Sequence, residues 1–302
     1  MQGTVAGTYG RPVEISVPAP DGRTLAVYEG GARGGAPIFS LGGTPSSGQL
    51  YAPHARLAEE QGIRLIGYDR PGYGGSTPQP GRTIGNAAGD VAAIADALEI
   101  ERFAVWGVSG GGPHALACAA LLPERVAAAA SLAGVAPFEA EGLDWLAGMG
   151  ESNIEEFETV LRGREALAPL LEAEARAYVS SDREARLEAL RSLLSPVDAD
   201  AFSGDLGDYF FESAKTAFAH GAEGWIDDDL AFAKPWGFDL AEIRVPVLVW
   251  QGREDRFVPY THGEWLAAHI PGAEARLAEE DGHLTLLTER IRDVHEWLLE
   301  RL

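Results

Sequence analysis

Short apolar runs alternate with helix-period segments through the first half of the chain and again near its end. The runs APIFSLGG (36–43), IRLIGYD (63–69), RFAVWGVS (102–109), VAAAASLAGVAP (126–137) and VPVLVWQG (245–252) are bounded by glycine, proline or charged residues. Runs of this kind, apolar without alternation, read as strands buried on both faces. Between them, LYAPHARLAEEQG (50–62), IGNAAGDVAAIADALEI (84–100) and GGPHALACAALLP (111–123) place apolar residues at helical spacing. Pro113 falls in the first turn of the last of these, where its missing N–H costs nothing. Ahead of them, VEISVPAPDGRTLAVYEGG (13–31) alternates on either side of Asp21-Gly22 and predicts a hairpin. The pattern predicts an α/β fold, a mostly parallel twisted sheet with helices on both faces.

From Phe138 the pattern changes. The segment LDWLAGMGESNIEEFETVLRGREALAPLLEAEARAYVSSDREARLEALRSLL is acidic, helical in period and free of strand signals, and GDYFFESAKTAFAHGAEGWIDDDLAF continues in the same way. After KPWGFDLAEIR the α/β alternation resumes, with a strand at VPVLVWQG, a helix at HGEWLAAHI (262–270), a strand at AEARLAEE (273–280) and one helix through LTLLTERIRDVHEWLLERL (284–302). The expected organisation is one α/β core made of 1–137 and 237–302, interrupted by a helical insertion over 138–236.

A chain of 302 residues with 46% apolar content can bury a full core. Its formal net charge of −22 repels phosphate backbones and anionic lipid, so neither nucleic acid nor a membrane is expected as a partner. Cys118 is the only cysteine, which rules out a disulfide within the chain. No Cys/His cluster has zinc spacing, so no metal is expected. The first twenty residues, MQGTVAGTYGRPVEISVPAP, carry no basic-then-apolar leader pattern, and the apolar runs are too short to span a bilayer. A cytoplasmic location is the resulting expectation.

FAVWGVSGGGPHALACAALLP (103–123) joins a predicted strand to a predicted helix through glycines. Such a turn either cradles a phosphate on backbone N–H groups or raises a serine as a nucleophile. A Walker loop needs Lys-Ser or Lys-Thr after its last glycine, and none follows here. A dinucleotide fingerprint needs glycine where Ser109 stands. No nucleotide cofactor is therefore expected. Gly107-x-Ser109-x-Gly111 instead fits the G-x-S-x-G elbow, where a sharp strained turn needs small residues two positions either side of the serine. A serine nucleophile also needs a base and an orienting acid. GREDRFVP (252–259) supplies acids just past a strand, and DGHLTLL (281–287) supplies His283 before the last helix. Serine, acid and histidine follow one another in that order.

Together GGTPSSG, DRPGYGGS, GVSGGGP, GREDRFVP and DGHLTLL, over nearly the whole chain, resemble the α/β-hydrolase-fold serine hydrolases with an inserted helical cap. The resemblance implies Ser109 as nucleophile, His283 as general base and then acid, and Asp255 as the carboxylate that orients His283. Glu254 and Asp281 are the alternative acids. It implies an oxyanion hole from the N–H groups of Gly110 and Thr44, although Gly42-Gly43 stands where the family often has His-Gly. The Asp69–Gly74 turn is expected to be structural and held by local polar contacts, and His114 to be a packed, hydrogen-bonded residue.

The resemblance implies cleavage of a carboxylic ester, or of an amide, in a small-to-medium, partly apolar substrate. The cap carries Trp145, Met149, Phe157, Tyr178, Tyr209, Phe210, Phe211, Phe218 and Trp225, of which most are expected to pack among the cap helices and some to face its cleft. A serine at position 109 sets the chain apart from relatives that use aspartate there. A prolyl-aminopeptidase-like activity is the alternative chemistry, although GGTPSSG departs from the His-Gly-Gly-Pro-Gly usual in those enzymes. Cap acids such as Glu151, Glu155 and Glu156 could hold a substrate amine, but they read as a solvated face. A low-turnover ligand-binding member of the fold is the alternative from another class.

Overall fold

The computed structural model describes residues 13–180 and 182–302. The reading of residues 1–12 as leader-free lies outside them. The hairpin forms as expected, with β1 (Val13–Pro18) antiparallel to β2 (Thr24–Gly31). The buried runs become β3 (Ala36–Leu41), β4 (Ile63–Tyr68), β5 (Phe103–Val108) and β6 (Val126–Leu132). They alternate with α1 (Ala52–Glu60), α2 (Asn86–Ala97) and α3 (Gly111–Leu121). Six helices then intervene: α4 (Glu151–Val160), α5 (Arg164–Ser180), α6 (Arg183–Ala189), α7 (Pro196–Phe202), α8 (Asp205–Ala217) and α9 (Glu223–Phe232). The chain returns to the sheet with β7 (Val247–Gly252), α10 (Tyr260–His269), β8 (Glu274–Ala278), α11 (Thr285–Glu289) and α12 (Ile291–Leu299).

The sheet order is β1-β2-β4-β3-β5-β6-β7-β8, parallel from β4 onward and antiparallel where β2 meets β4. Side-chain alternation sorts its two faces into two cores. Phe39, Leu41, Val105, Ala129, Val247 and Val249 pack with α2, α3 and α10. Their neighbours Ile38, Ala104, Trp106, Ala130, Leu248 and Trp250 pack with α1 and α12. Both faces are covered, which is why these strands read as unbroken apolar runs.

Two expectations change at the element level. Helix does not extend back to Leu143: residues 143–150 form turns, and the first helix of the insertion starts at Glu151. Gly148 at φ +93° and the extended Gly150 block a continuous helix there. The C-terminal segment is two helices rather than one, α11 and α12, which meet at Arg290. Among the described residues no helix is long and apolar enough to cross a membrane. The chain order puts the ends of β3, β5 and β7 and the start of the insertion on one edge of the sheet, where open α/β folds hold their ligands.

Candidate active site

Ser109 follows β5 directly and sits at φ +54°, a left-handed conformation that a non-glycine residue adopts at a cost. Its N–H donates to the Leu132 carbonyl at 2.8 Å, so the elbow is tied to the end of β6. A Cβ at Gly107 would run into the Gly111 backbone, which is the physical reason for glycine at that spacing. A Cβ at Gly110 would run into the Thr44 side chain, so the elbow and the turn after β3 lie against each other. Among the described residues neither the Gly110 nor the Thr44 N–H donates to any protein acceptor. His114, one turn into α3, is buried, and its ring Nδ1 lies 2.7 Å from the Gly110 carbonyl. That carbonyl can only accept, so Nδ1 carries the proton. Burial, followed by the charge of Arg70, holds His114 down at about 3, so the ring is neutral and acts as a brace.

The acid and the histidine come together on the far side of β6. Asp255, three residues past β7, is buried. Its Oδ1 accepts from the Phe257 and Val258 N–H groups, each at 2.8 Å, and its Oδ2 accepts from Gln251 Nε2 at 3.0 Å. The same Oδ2 meets His283 Nδ1 at 2.8 Å. The carboxylate thus fixes the proton on Nδ1 and leaves Nε2 able to accept one. The Phe257 ring stacks on the imidazole with centroids 4.5 Å apart. Burial alone would lower the His283 pKa, but the Asp255 charge outweighs it and raises the ring above its ordinary 6.5. Burial raises Asp255 in turn, against the opposing pull of His283. Of the alternative acids, Glu254 is exposed and Asp281 is paired with Arg290 at 2.9 and 3.0 Å. Among the described residues no hydrogen bond joins Ser109 Oγ to His283. In resting sites that bond is often long and closes only in the reacting complex.

The Asp69–Gly74 turn does more than hold itself together. Arg70 donates from Nη1 to the Gly42 carbonyl at 2.5 Å, and from Nη2 to the Gly43 carbonyl at 2.8 Å and to Thr44 Oγ1 at 2.9 Å. The expectation of purely local contacts is therefore corrected, because this arginine braces the turn where the family often has histidine. Asp228 of α9 completes the cluster, fully buried. It accepts from Arg70 Nη2 at 2.6 Å, Arg82 Nη1 at 2.7 Å, Thr44 Oγ1 at 2.8 Å and the Tyr73 hydroxyl at 3.0 Å. Burial would raise its pKa, but Arg70 and Arg82 together hold it well below the carboxylate range. A second acid from the insertion, Asp198 of α7, accepts the His283 N–H at 3.0 Å and the Leu284 N–H at 2.7 Å.

Thr44, Ser109 and Gly110 line a cavity of about 340 Å³, roofed by the insertion. Met149, Phe157, Tyr178, Trp225 and Phe232 give it apolar walls, and Phe257 and Val258 border it on the side of the Asp255–His283 pair. Trp145 does not reach it; its Nε1 donates to the Ala136 carbonyl at 2.8 Å, and it packs among Phe138, Phe157 and His262. Glu151 and Glu155 stand on an exposed face, as expected. Glu156 does not: it lines the cavity and accepts from Trp225 Nε1 at 2.9 Å. At about 100° per residue, α4 turns Glu156 inward beside Phe157 while its acidic neighbours face water.

An eight-stranded, mostly parallel sheet with a serine elbow after its fifth strand, and a buried acid after its seventh paired with a histidine after its eighth, defines the α/β-hydrolase class. The profile of the alpha/beta hydrolase fold family matches residues 36–290, and the chain belongs to that family of enzymes. It is a hydrolase of the alpha/beta fold. Among its relatives, an uncharacterized hydrolase, YcgS, of Bacillus subtilis (strain 168) is 27% identical over 92% of this chain and 95% of its own length. A 2-hydroxy-6-oxononadienedioate/2-hydroxy-6-oxononatrienedioate hydrolase of Cupriavidus pinatubonensis is 28% identical over 74% of this chain and 70% of its own length. A thermophilic esterase from Thermogutta terrifontis has the same fold at TM-score 0.68, with 22% identity over 96% of this chain and 99% of that one. A bromoperoxidase from Bacillus anthracis matches at TM-score 0.70, with 20% identity over 95% of this chain and all of the other.

Proposed function

We propose that the chain is a serine esterase acting on a small-to-medium, partly apolar carboxylic ester through Ser109, His283 and Asp255. The observation that carries this reading is the 2.8 Å contact between buried Asp255 and His283, held by Phe257 and Val258, which line the same cavity as Ser109. Ser109 Oγ attacks the ester carbonyl as His283 Nε2 takes its proton, and Asp255 steadies the imidazolium that results. The Gly110 and Thr44 N–H groups, without other acceptors, donate to the oxyanion of the tetrahedral intermediate. His283 then returns the proton to the leaving alkoxide. Water, deprotonated by the same nitrogen, releases the acyl group from Ser109. The helices of 138–236 act as a cap that shapes the acyl and alcohol pockets.

A panel of p-nitrophenyl esters from acetate to decanoate, run beside aminoacyl p-nitroanilides, tests the reading. The esters turn over with a stoichiometric burst of p-nitrophenol wherever deacylation is the slow step. Ester hydrolysis no faster than buffer would favour a binding protein, and faster anilide turnover would favour a peptidase.

The pH profile carries a sign. His283 must be neutral to act as base, and the Asp255 charge raises its pKa. The kcat/KM therefore climbs with pH to a plateau, with its acid limb centred above 6.5. Asp255→Asn removes the raising charge and lowers the plateau by about 10⁴-fold, because the proton is then no longer held on Nδ1. A wild-type limb centred well below 6.5 would contradict the pairing.

A further inference from the structure

Three acidic side chains line the cavity above Ser109. Glu156 of α4, Glu174 of α5 and Asp229 of α9 all line it. Three consecutive aspartates on α9 divide their work. Asp227 pairs with Arg164 at 2.7 Å, and Asp228 pairs with Arg70 and Arg82. Asp229, 1% exposed, has no cationic partner, and its Oδ2 has no hydrogen-bond partner among the described residues. Glu156 is held beside the cavity by the Trp225 N–H, and Trp225 is itself fixed by stacking on Phe218 at 5.6 Å.

The surroundings leave these carboxyls short of positive charge. Burial, and next the charge of Glu156, push Asp229 well above the carboxylate range; burial likewise raises Glu156. Glu174 is more exposed, and partial burial together with Glu156 and Glu155 raises it to about 7. Arg186 also borders the cavity, but its guanidinium lies over the Phe211 ring at 4.7 Å and donates to the Val179 carbonyl at 3.2 Å. It forms no ion pair with the three acids. No set of three or more described His, Cys, Asp or Glu residues is arranged to hold a metal ion. The aromatic rings of Phe157, Trp225 and Phe232 line the same space, and ring faces beside buried carboxyls that a bound cation would ionise suit an organic cation.

We propose that this part of the cavity is a subsite for a protonated amine or compact organic cation carried by the substrate, with Asp229 and Glu156 as its counter-ions. The inference rests on the reading of Ser109 as the nucleophile of the same cavity, and it narrows the substrate class to esters that carry a positive charge.

Three matched p-nitrophenyl esters test it: hexanoate, 6-aminohexanoate and the half-ester of adipic acid. The amino ester is expected to exceed the neutral one in kcat/KM by about tenfold or more, with the anionic ester slowest. Asp229→Asn and Glu156→Gln are each expected to reduce the amino-to-neutral ratio severalfold, and the double variant to bring it close to one. In the wild-type enzyme, where folding of a variant is not at issue, n-pentylammonium is expected to compete at concentrations about tenfold below n-pentanol. A preference for the neutral or anionic ester, or equal inhibition by amine and alcohol, overturns the subsite. Fluorophosphonate labelling of the same preparation separates the two readings. Labelled enzyme without cation preference sinks the subsite alone, whereas unlabelled enzyme sinks the nucleophile assignment and the subsite with it.

Discussion

Ser109→Ala lowers kcat for p-nitrophenyl esters by about 10⁴- to 10⁶-fold while the protein stays folded. The size follows from the loss of covalent catalysis: without Oγ there is no acyl-enzyme, and His283 and Asp255 have no proton to move. The remaining catalysis comes from the Gly110 and Thr44 N–H groups and from substrate binding, so the variant still exceeds the buffer rate. Alanine meets the same φ of +54° as serine does, so the strain at the elbow is unchanged and the urea midpoint stays close to that of the wild type. A variant that keeps a tenth or more of the wild-type kcat with these esters would place the nucleophile elsewhere.

Asp228→Asn is expected to be the most damaging substitution outside the three reacting residues. It leaves Arg70 and Arg82, both buried, without their shared counter-ion. Breaking a buried ion cluster in this way costs about 3–5 kcal/mol, measurable by chemical denaturation. The same substitution loosens the Gly42–Thr44 turn, because Asp228 accepts from Thr44 Oγ1 and holds Arg70, whose guanidinium binds the Gly42 and Gly43 carbonyls. Loss of one well-placed oxyanion donor costs about 10²–10³ in kcat, with KM much less affected. Thr44→Val keeps the ion cluster and cuts only its hydroxyl link, so it shows a drop in kcat with little loss of stability. Because Asp228 is held well below the ordinary 3.8, its contribution to stability is complete above that pH. It is withdrawn only as the pH falls below 3.8 toward the folded-state value. Wild-type stability in Asp228→Asn would mean that the two arginines find other partners.

The elements were legible where the signal is local. Buried strands announced themselves as unbroken apolar runs, and the elbow as glycines spaced around Ser109 between a strand and a helix. Chain order put an acid and then a histidine after Ser109, and the family resemblance pointed to Asp255 and His283 while Glu254 and Asp281 stayed as alternatives; of the three acids, Asp255 is the one that meets His283. What stayed hidden depends on contacts between distant segments. GWIDDDLAF resembles a solvated acidic patch, yet Gly224–Asp229, Ala231 and Phe232 are all buried. Three successive helical residues sweep about 200°, so with Trp225, Ile226 and Phe232 around them at least one aspartate had to face inward. That geometry was the available clue to Asp228 and Asp229. Asp198 offered no such clue, since apart from the nearby Ser195 hydroxyl its partners are backbone N–H groups some 85 residues away. Gly42-Gly43 stands where the family often has His-Gly, and the turn is braced instead by Arg70 and Asp228, each far from it in sequence.

Everything proposed for the cavity depends on Ser109 being an activated nucleophile. Treating the folded protein with a fluorophosphonate and mapping the adduct by mass spectrometry tests it most directly. One adduct is expected, on the peptide that contains Ser109, and none in Ser109→Ala. No adduct on the folded wild-type protein, or the same adduct on Ser109→Ala, would contradict it.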